Sequence, residues 1–443
     1  MQGLRAKLAA RSVPARAFAA AEEGAISALG IFVFLVSCVV YGVAVDVARV
    51  RSAQSQLQLA ADTAAHAALY YRETHNAEEA REKALAVANY GMPRSIYGNT
   101  LVPEDIVFGS WSYESETFLP DPDSRESVMV TTRRLKENGT SLATTLFGFV
   151  GIDSFDVVSR TVFTTYRPTC FREGFVAEDV VDIQSNNNYY AGFCIHANGH
   201  VELNSNNVFE AGTIVSMPNI DDLVLPQSGF STNDGLKEAL RVGSYRIRVI
   251  NRLPATIQGL YDADDAYLPD YITSPVAVGL SGSKLDESDF TPGRLHLLSG
   301  SSNCKVTLSP SVPLREVVFV TNCEIKFSQG TALQDVVIAT TNTGAKSMNA
   351  PSTLQVGKDD ICAEGGGAQL LSLGGMSFAS DLRMYGGQLV ALGDIIFAAN
   401  AEGIEGASMI SGRRIDGTSN MNMGFCVTGM EDNFEASYFR LAY

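Results

Sequence analysis

Residues 302–320, SNCKVTLSPSVPLREVVFV, run directly into residues 321–339, TNCEIKFSQGTALQDVVIA, and the two segments align at an offset of 19 residues, with Cys304 falling on Cys323. The same offset relates QLLSLGGMSFAS at 369–380 to QLVALGDIIFAA at 388–399, where Gln, Leu, Leu, Gly, Phe and Ala recur in register. Short β-rich runs repeated at a fixed step, with Gly, Asn, Ser and Asp at the bends, are the mark of a stacked repeat in which each unit buries its apolar face only against its neighbours. Leucine-rich repeats share this length range, but their Leu-x-x-Leu-x-Leu frame is absent. The expectation is a mainly-β, right-handed parallel β-helix over residues 169–443. GFCIHANGHVELNSNNVFEAGTIVSM, at 192–217, reads as its first coils and ASMISGRRIDG, at 407–417, as one of its last. The rhythm lapses between about 218 and 292, where a short helix candidate at 235–242 and the acidic run YDADDAYLPDY occur, so this part is expected to be a long excursion from the repeat.

Upstream of the repeats the pattern changes. Residues 101–168 hold three alternating or β-branched runs, DIVFGSWSY, SVMVTTRR and DVVSRTVFTTY, parted by Pro, Asp, Asn and Gly. SLATTLFGFVG, between the second and third, reads as a small apolar helix or loop. Further upstream, 24–45 is GAISALGIFVFLVSCVVYGVAV, 22 residues without a charge. That length spans a bilayer core as a helix. Its helical pattern persists beyond the apolar stretch, which fits a retained anchor better than a cleaved signal. Val47, Val50, Leu57, Ala61, Ala64 and Ala68 continue one apolar face, and the small residues Ala61, Ala64 and Ala68 suit close approach to a sheet or another helix. A second helix is expected from Ala77 to Ala88, capped by Asn76, with Glu79 three residues on and Gly91 and Pro93 at its end. The expected domains are therefore a basic tail (1–21), a transmembrane helix (22–46), a helix with a small pilin-like α+β unit (47–168), and the β-helix.

Charge and cysteines place these parts. Arg5, Lys7, Arg11 and Arg16 precede the span and only Arg49 and Arg51 closely follow it, so the positive-inside bias puts the N-terminus in the cytoplasm. The rest would then be periplasmic or surface-exposed, on a bacterial inner-membrane anchor. The net charge of −16, with four basic residues confined to the tail, argues against nucleic acid as a partner. Cys38 lies in the span. The other six, Cys170, Cys194, Cys304, Cys323, Cys362 and Cys426, form an even set in an oxidising compartment, which suggests three disulfides. Cys304 and Cys323 hold the same position in consecutive repeats, and adjacent strands are about 4.8 Å apart, within reach of a disulfide. The simplest pairing of the rest is Cys170 with Cys194 and Cys362 with Cys426, one choice among the connectivities six cysteines allow.

The N-terminal segment EEGAISALGIFVFLVSCVVYGVAVDVARVRSAQSQLQLAADTAAHAAL resembles the TadE/TadG-like proteins of tight-adherence (Flp, type IVc) pilus assembly. Gly24 and Ala25, the apolar span, Asp46, and the run Ala60, Ala61, Asp62, Ala64 and Ala65 carry the resemblance. The strand region to residue 168 is similar as well. The resemblance implies a membrane-bound component of a pilus machine whose partners are pilins or other assembly proteins. Prepilins of the wider superfamily carry Glu at the fifth position of the mature chain; counted from Ala25, that position is Leu29, which favours a retained TadG-like role. The Asp-x-Ser-x-Ser metal motif of family members with a von Willebrand A domain fails at Asp416-Gly417-Thr418-Ser419-Asn420.

Other chemistry is sparse, and no cofactor is implied. Cys194, His196 and His200 could form a metal cluster, but a disulfide and two separate histidines account for them equally. Asp262, Asp264 and Asp265 lack the Gly and closing Glu of a calcium loop. Asn186 to Asn188, Asn204, Asn206 and Asn207 could meet surface carbohydrate, or could turn and stack along the repeat. The sequon at Asn138 reads as chance. Asp221 with Asp222 and Asp359 with Asp360 lie off any shared repeat position, so the paired carboxylates of a polysaccharide-cleaving enzyme are not in evidence. The expected role is a non-catalytic, membrane-anchored pilus-assembly component. A carbohydrate-binding surface adhesin and a polysaccharide-acting enzyme are the rival readings.

Overall fold

The computed structural model describes residues 23–426 and 428–443; the expected cytoplasmic tail, 1–21, lies outside the described residues. The chain forms two compact units, one of residues up to 166 together with 439–443 and one of residues 167–438.

The first unit is built on a single helix, α1 (Glu23–Arg72), 50 residues long. Ile26 to Tyr41 expose their large apolar side chains throughout, with Phe32 and Phe34 each about two-thirds exposed. This part is long and apolar enough to cross a membrane. From Ala53 onward one face turns inward: Leu57, Ala61, Ala64, Ala65 and Ala68 lose all contact with solvent. A second helix, α2 (Ala77–Gly91), starts where Asn76 accepts the N–H of Glu79 at 3.0 Å. It buries Ala80, Ala84 and Ala88, one residue per helical turn. Two alanine faces allow axes to approach to about 8 Å, the short end of helix packing. Both faces close over the strands Ile106–Ser112 and Ser127–Arg134, through Ile106, Phe108, Val128 and Val130. The alanine stripe of α1 is thus used up inside its own unit. The antiparallel sheet runs in the order Thr117–Pro120, Ile106–Ser112, Ser127–Arg134, Val157–Tyr166, then the C-terminal strand.

The second unit is largely β, with a long sheet whose strands pair in parallel. Val317 pairs with Val336, and Gln369 with Gln388, each at the 19-residue step read from the sequence. The first repeat departs from simple order. Gly174–Ala177 pairs with Cys194–Ala197 on one side and with residues 408–411 on the other, so the chain begins its sheet in the middle. It lays repeats outward as far as Leu240–Val242, crosses through α3 (Arg248–Tyr261), resumes at Ser274–Gly279, and adds repeats back until Arg414–Gly417 pairs with Val180–Ile183. α3 buries Val249, Leu253, Ile257 and Leu260 and packs along Leu314–Thr321, Ala368–Ser372 and Met376–Ala391. Within 218–292, Asn233–Asp234, Leu240–Val242, Ser274–Gly279 and Lys284–Leu285 are strands of the sheet. Longer steps, Val215 to Leu240 and Arg294 to Val317, hide the rhythm there.

Inward-facing residues form one continuous core, with Phe175, Phe193, Phe319, Phe327, Phe378 and Phe397 fully or almost fully buried. At one bend asparagines stack. Asn187 donates its backbone N–H to Asn207 Oδ1 at 3.0 Å, and Asn207 donates its own to Asn233 Oδ1 at 3.2 Å. All three are buried. Each side chain supplies the acceptor that the turning backbone of the neighbouring repeat lacks.

Candidate functional site

The first region with functional geometry is the end of the apolar stretch of α1. Asp46, the first charged residue after it, is buried, and its carboxylate accepts the backbone N–H groups of Thr145, Leu146 and Phe147 at 2.7, 2.8 and 3.1 Å. These open the short 3-10 helix Phe147–Val150, at the tip of a hairpin whose arms, Leu142–Ala143 and Ser154–Phe155, pair antiparallel. Three unpaired donors converge there, and a carboxylate is the natural acceptor for them. The sequence flagged Asp46 only through its family pattern; its partners lie about a hundred residues away.

The cysteines are joined as Cys170–Cys194, Cys304–Cys323 and Cys362–Cys426, with Cα separations of 4.8, 4.7 and 5.7 Å. Cys38 is free, on the exposed part of α1. Because Cys194 is oxidised, the histidines near it stand apart from it. His196 is fully buried, with Nδ1 2.8 Å from Ser216 Oγ and Nε2 3.1 Å from Asn198 Oδ1. Its burial holds its pKa below the ordinary histidine value. His200 Nε2 lies 2.8 Å from Glu202. Asp262 accepts from Gln258 and Asp264 from the N–H of Ala266. Asp360 meets Lys358 at 3.2 Å.

A buried acid sits where the second unit begins. Glu173 is inaccessible to solvent; Oε2 accepts the N–H of Cys426 at 2.5 Å, and Oε1 has no hydrogen-bond partner among the described residues. Burial raises its pKa to about 7.

The third region is a polar groove of about 620 Å³ on the outside of the long sheet, lined by Tyr190, Asp359, Arg383, Tyr385, Glu405 and Asn422, with Gly403 and Gly424. Strand register assembles it. Tyr385 pairs with Glu405, Glu405 with Gly424, and Asn422 with Asn188, so outward positions of successive repeats form a column. The two glycines make the depression: a Cβ on Gly403 would lie 3.2 Å from Arg383 Cγ, and one on Gly424 3.1 Å from Glu405 Cγ. Arg383 is fixed by Asp381, at 3.1 and 3.3 Å. Partial burial and the charge of Asp359 raise the Tyr385 pKa, so the ring keeps its hydroxyl proton. Sequence reading singled out Asp359 but missed the others, since they meet only through the stacking of separate repeats.

Residues 24–82 match the family model described as putative Flp pilus-assembly TadE/G-like. This ties the membrane end of the chain to Flp pilus assembly. Residues 174–427, more than half of the chain, match the model of a domain of unknown function, DUF7867. No curated protein and no solved structure matches the chain.

Proposed function

The chain belongs to the DUF7867 family and opens with a TadE/G-like helix, and from this premise we propose that it is a non-catalytic, membrane-anchored structural or assembly component, a TadG-like minor pilin or pseudopilin, of a tight-adherence type IVc pilus machine. The observation that carries the reading is the division of α1. Its apolar stretch is exposed from Ile26 to Tyr41, as a lipid-facing segment must be, while its continuation is buried in an α+β unit. The helix anchors once, with the basic tail in the cytoplasm and both units outside it. The parallel rows of the second unit are the walls of a right-handed β-helix, a stiff body that presents contact surfaces. Its outward face contacts pilins or other assembly proteins. Three disulfides support the assignment to an oxidising compartment.

In-cell crosslinking followed by identification of the adducts tests this. Adducts with pilus subunits or the assembly platform are expected, together with loss of surface pili when the gene is deleted. Normal piliation without the protein would overturn the reading.

The groove favours a second reading, in which the wall holds a polar ligand such as a surface saccharide. Two tyrosine rings beside an arginine and two carboxylates are a suitable lining for hydroxyl-rich molecules. Binding of the purified protein to a glycan panel, abolished by Tyr385→Ala, is the outcome that would favour it over pilus assembly alone.

A further inference from the structure

The hairpin tip held by Asp46 carries more apolar surface than a solvent-facing turn needs. Its sequence from 144 is TTLFGFVGID. Phe149 is 87% exposed and Val150 73%, and Ile152 is also exposed. Among the described residues of the first unit none covers them, although Phe147, two residues before Phe149, is packed edge-on against Phe155.

The position of the tip along α1 says what covers it. Leu146 fills the space beside Gly42: a Cβ added to Gly42 would lie 3.0 Å from Leu146 Cβ and 3.1 Å from its Cδ2. Gly42 belongs to the uncharged stretch that ends at Val45. At 1.5 Å per residue it lies about 4.5 Å inside that end. The tip is therefore level with the last turn of the membrane-crossing segment and is held there by three hydrogen bonds to Asp46 and by Arg49, whose Nη1 donates to Thr145 Oγ1 at 3.3 Å. Arg49 and Arg51 follow just beyond the apolar stretch, where cationic side chains suit anionic headgroups, and Asp153 is the first charged residue after the tip. Apolar side chains in such an arrangement enter the boundary of headgroups and acyl chains, typically by about 5–10 Å.

We propose that residues 146–152 form a second membrane contact, in which Phe149 and Val150 insert into the outer leaflet of the bilayer that α1 crosses, with Asp46 as the clamp that sets their depth. The occupant is lipid, because the exposed residues continue the lipid-facing surface of the same helix. The inference rests on α1 being a membrane span, and the chain offers its own check of that premise in Cys38, the free thiol on the exposed part of the helix. With the tip and the helix both seated, the protein has two points of attachment, which fixes the tilt of the first unit on the membrane.

The test uses full-length protein in nanodiscs, with an environment-sensitive fluorophore on Cys38 in the native chain, or, in a Cys38→Ser background, on Phe149→Cys or on Tyr113→Cys, an exposed site just past the end of the strand Ile106–Ser112. Lipids brominated high on the acyl chain are expected to quench the label at 149 and aqueous iodide to leave it unaffected, whereas the label at 113 behaves in the opposite way. Asp46→Asn combined with Phe149→Cys should return the label to iodide while membrane association is retained. Quenching at Cys38 by lipid with iodide access at 149 would overturn this proposal and leave the anchor standing. Iodide access at both would overturn both. A label at 149 shielded from both quenchers, with crosslinks to protein, would replace lipid by a neighbouring subunit.

Discussion

Asn207 Oδ1 accepts both the backbone N–H and the side-chain N–H of Asn187, one repeat away, each at 3.0 Å. Neither residue touches solvent, so no water replaces what is removed. Asn207→Ala is expected to destabilise the protein by about 2 kcal/mol or more, as buried donors are left without acceptors. Asn204→Ala, in the same repeat but exposed, should cost clearly less. Urea unfolding of the solubilised protein compares them, and equal effects would mean that the buried stack is not a source of stability.

Loss of the Cys304–Cys323 bridge has a calculable effect. It closes a loop with a sequence separation of 19, for which chain entropy gives about 3 kcal/mol. The paired change Cys304→Ser and Cys323→Ser should lower the unfolding free energy by that order. Non-reducing peptide mapping of the native chain should recover the two residues in one linked fragment.

Ala64 has no exposed surface and lies where α1 meets α2 and the sheet. Ala64→Leu adds three carbons to a space with no room for them and should cost roughly 1–3 kcal/mol. Thermal unfolding followed by helix signal is the measurement. An unchanged midpoint would show that the two helices can separate without penalty.

Glu173 makes stability depend on pH in an unusual direction for an acid. Its folded pKa is raised, from an ordinary value near 4.5 to about 7, so the folded state holds the proton more tightly. The contribution is intact below pH 4.5 and is lost as pH climbs through 7, where the carboxyl must ionise inside the protein. The full span of that loss is on the order of 3 kcal/mol. Glu173→Gln should flatten the decline between pH 5 and 8. A mutant with the same pH profile as the parent would mean that the group ionises freely in place.

The parts legible in the sequence were those governed by short-range pattern. The 19-residue step is visible because the side chains it aligns, such as Val317 on Val336, meet the same core. Asn76 and Glu79 announced α2 through local capping chemistry. The alanine stripe was visible as a packing face, but its partner was not: Ala80, Ala84 and Ala88 take a place that a neighbouring subunit's helix could equally have filled. α3 was missed although Val249, Leu253, Ile257 and Leu260 keep helical spacing, because Pro254 interrupts the run and ordinarily ends a helix. The groove could not be read at all, since Tyr190 and Tyr385 are neighbours only through the return of the chain upon itself.

That return has a temporal side. A polypeptide emerging from the membrane end first makes the repeat at Gly174–Ala177 early, yet one hydrogen-bonding edge of it stays open until residues 408–411 arrive. The Arg414–Asp182 ion pair that joins the two joins residues 232 apart. Contacts of such long separation form late, and an open strand edge meanwhile invites wrong pairing or proteolysis. A chain cut short during synthesis would leave that edge bare. The last-made strands thus close the edge that the first-made strands leave open.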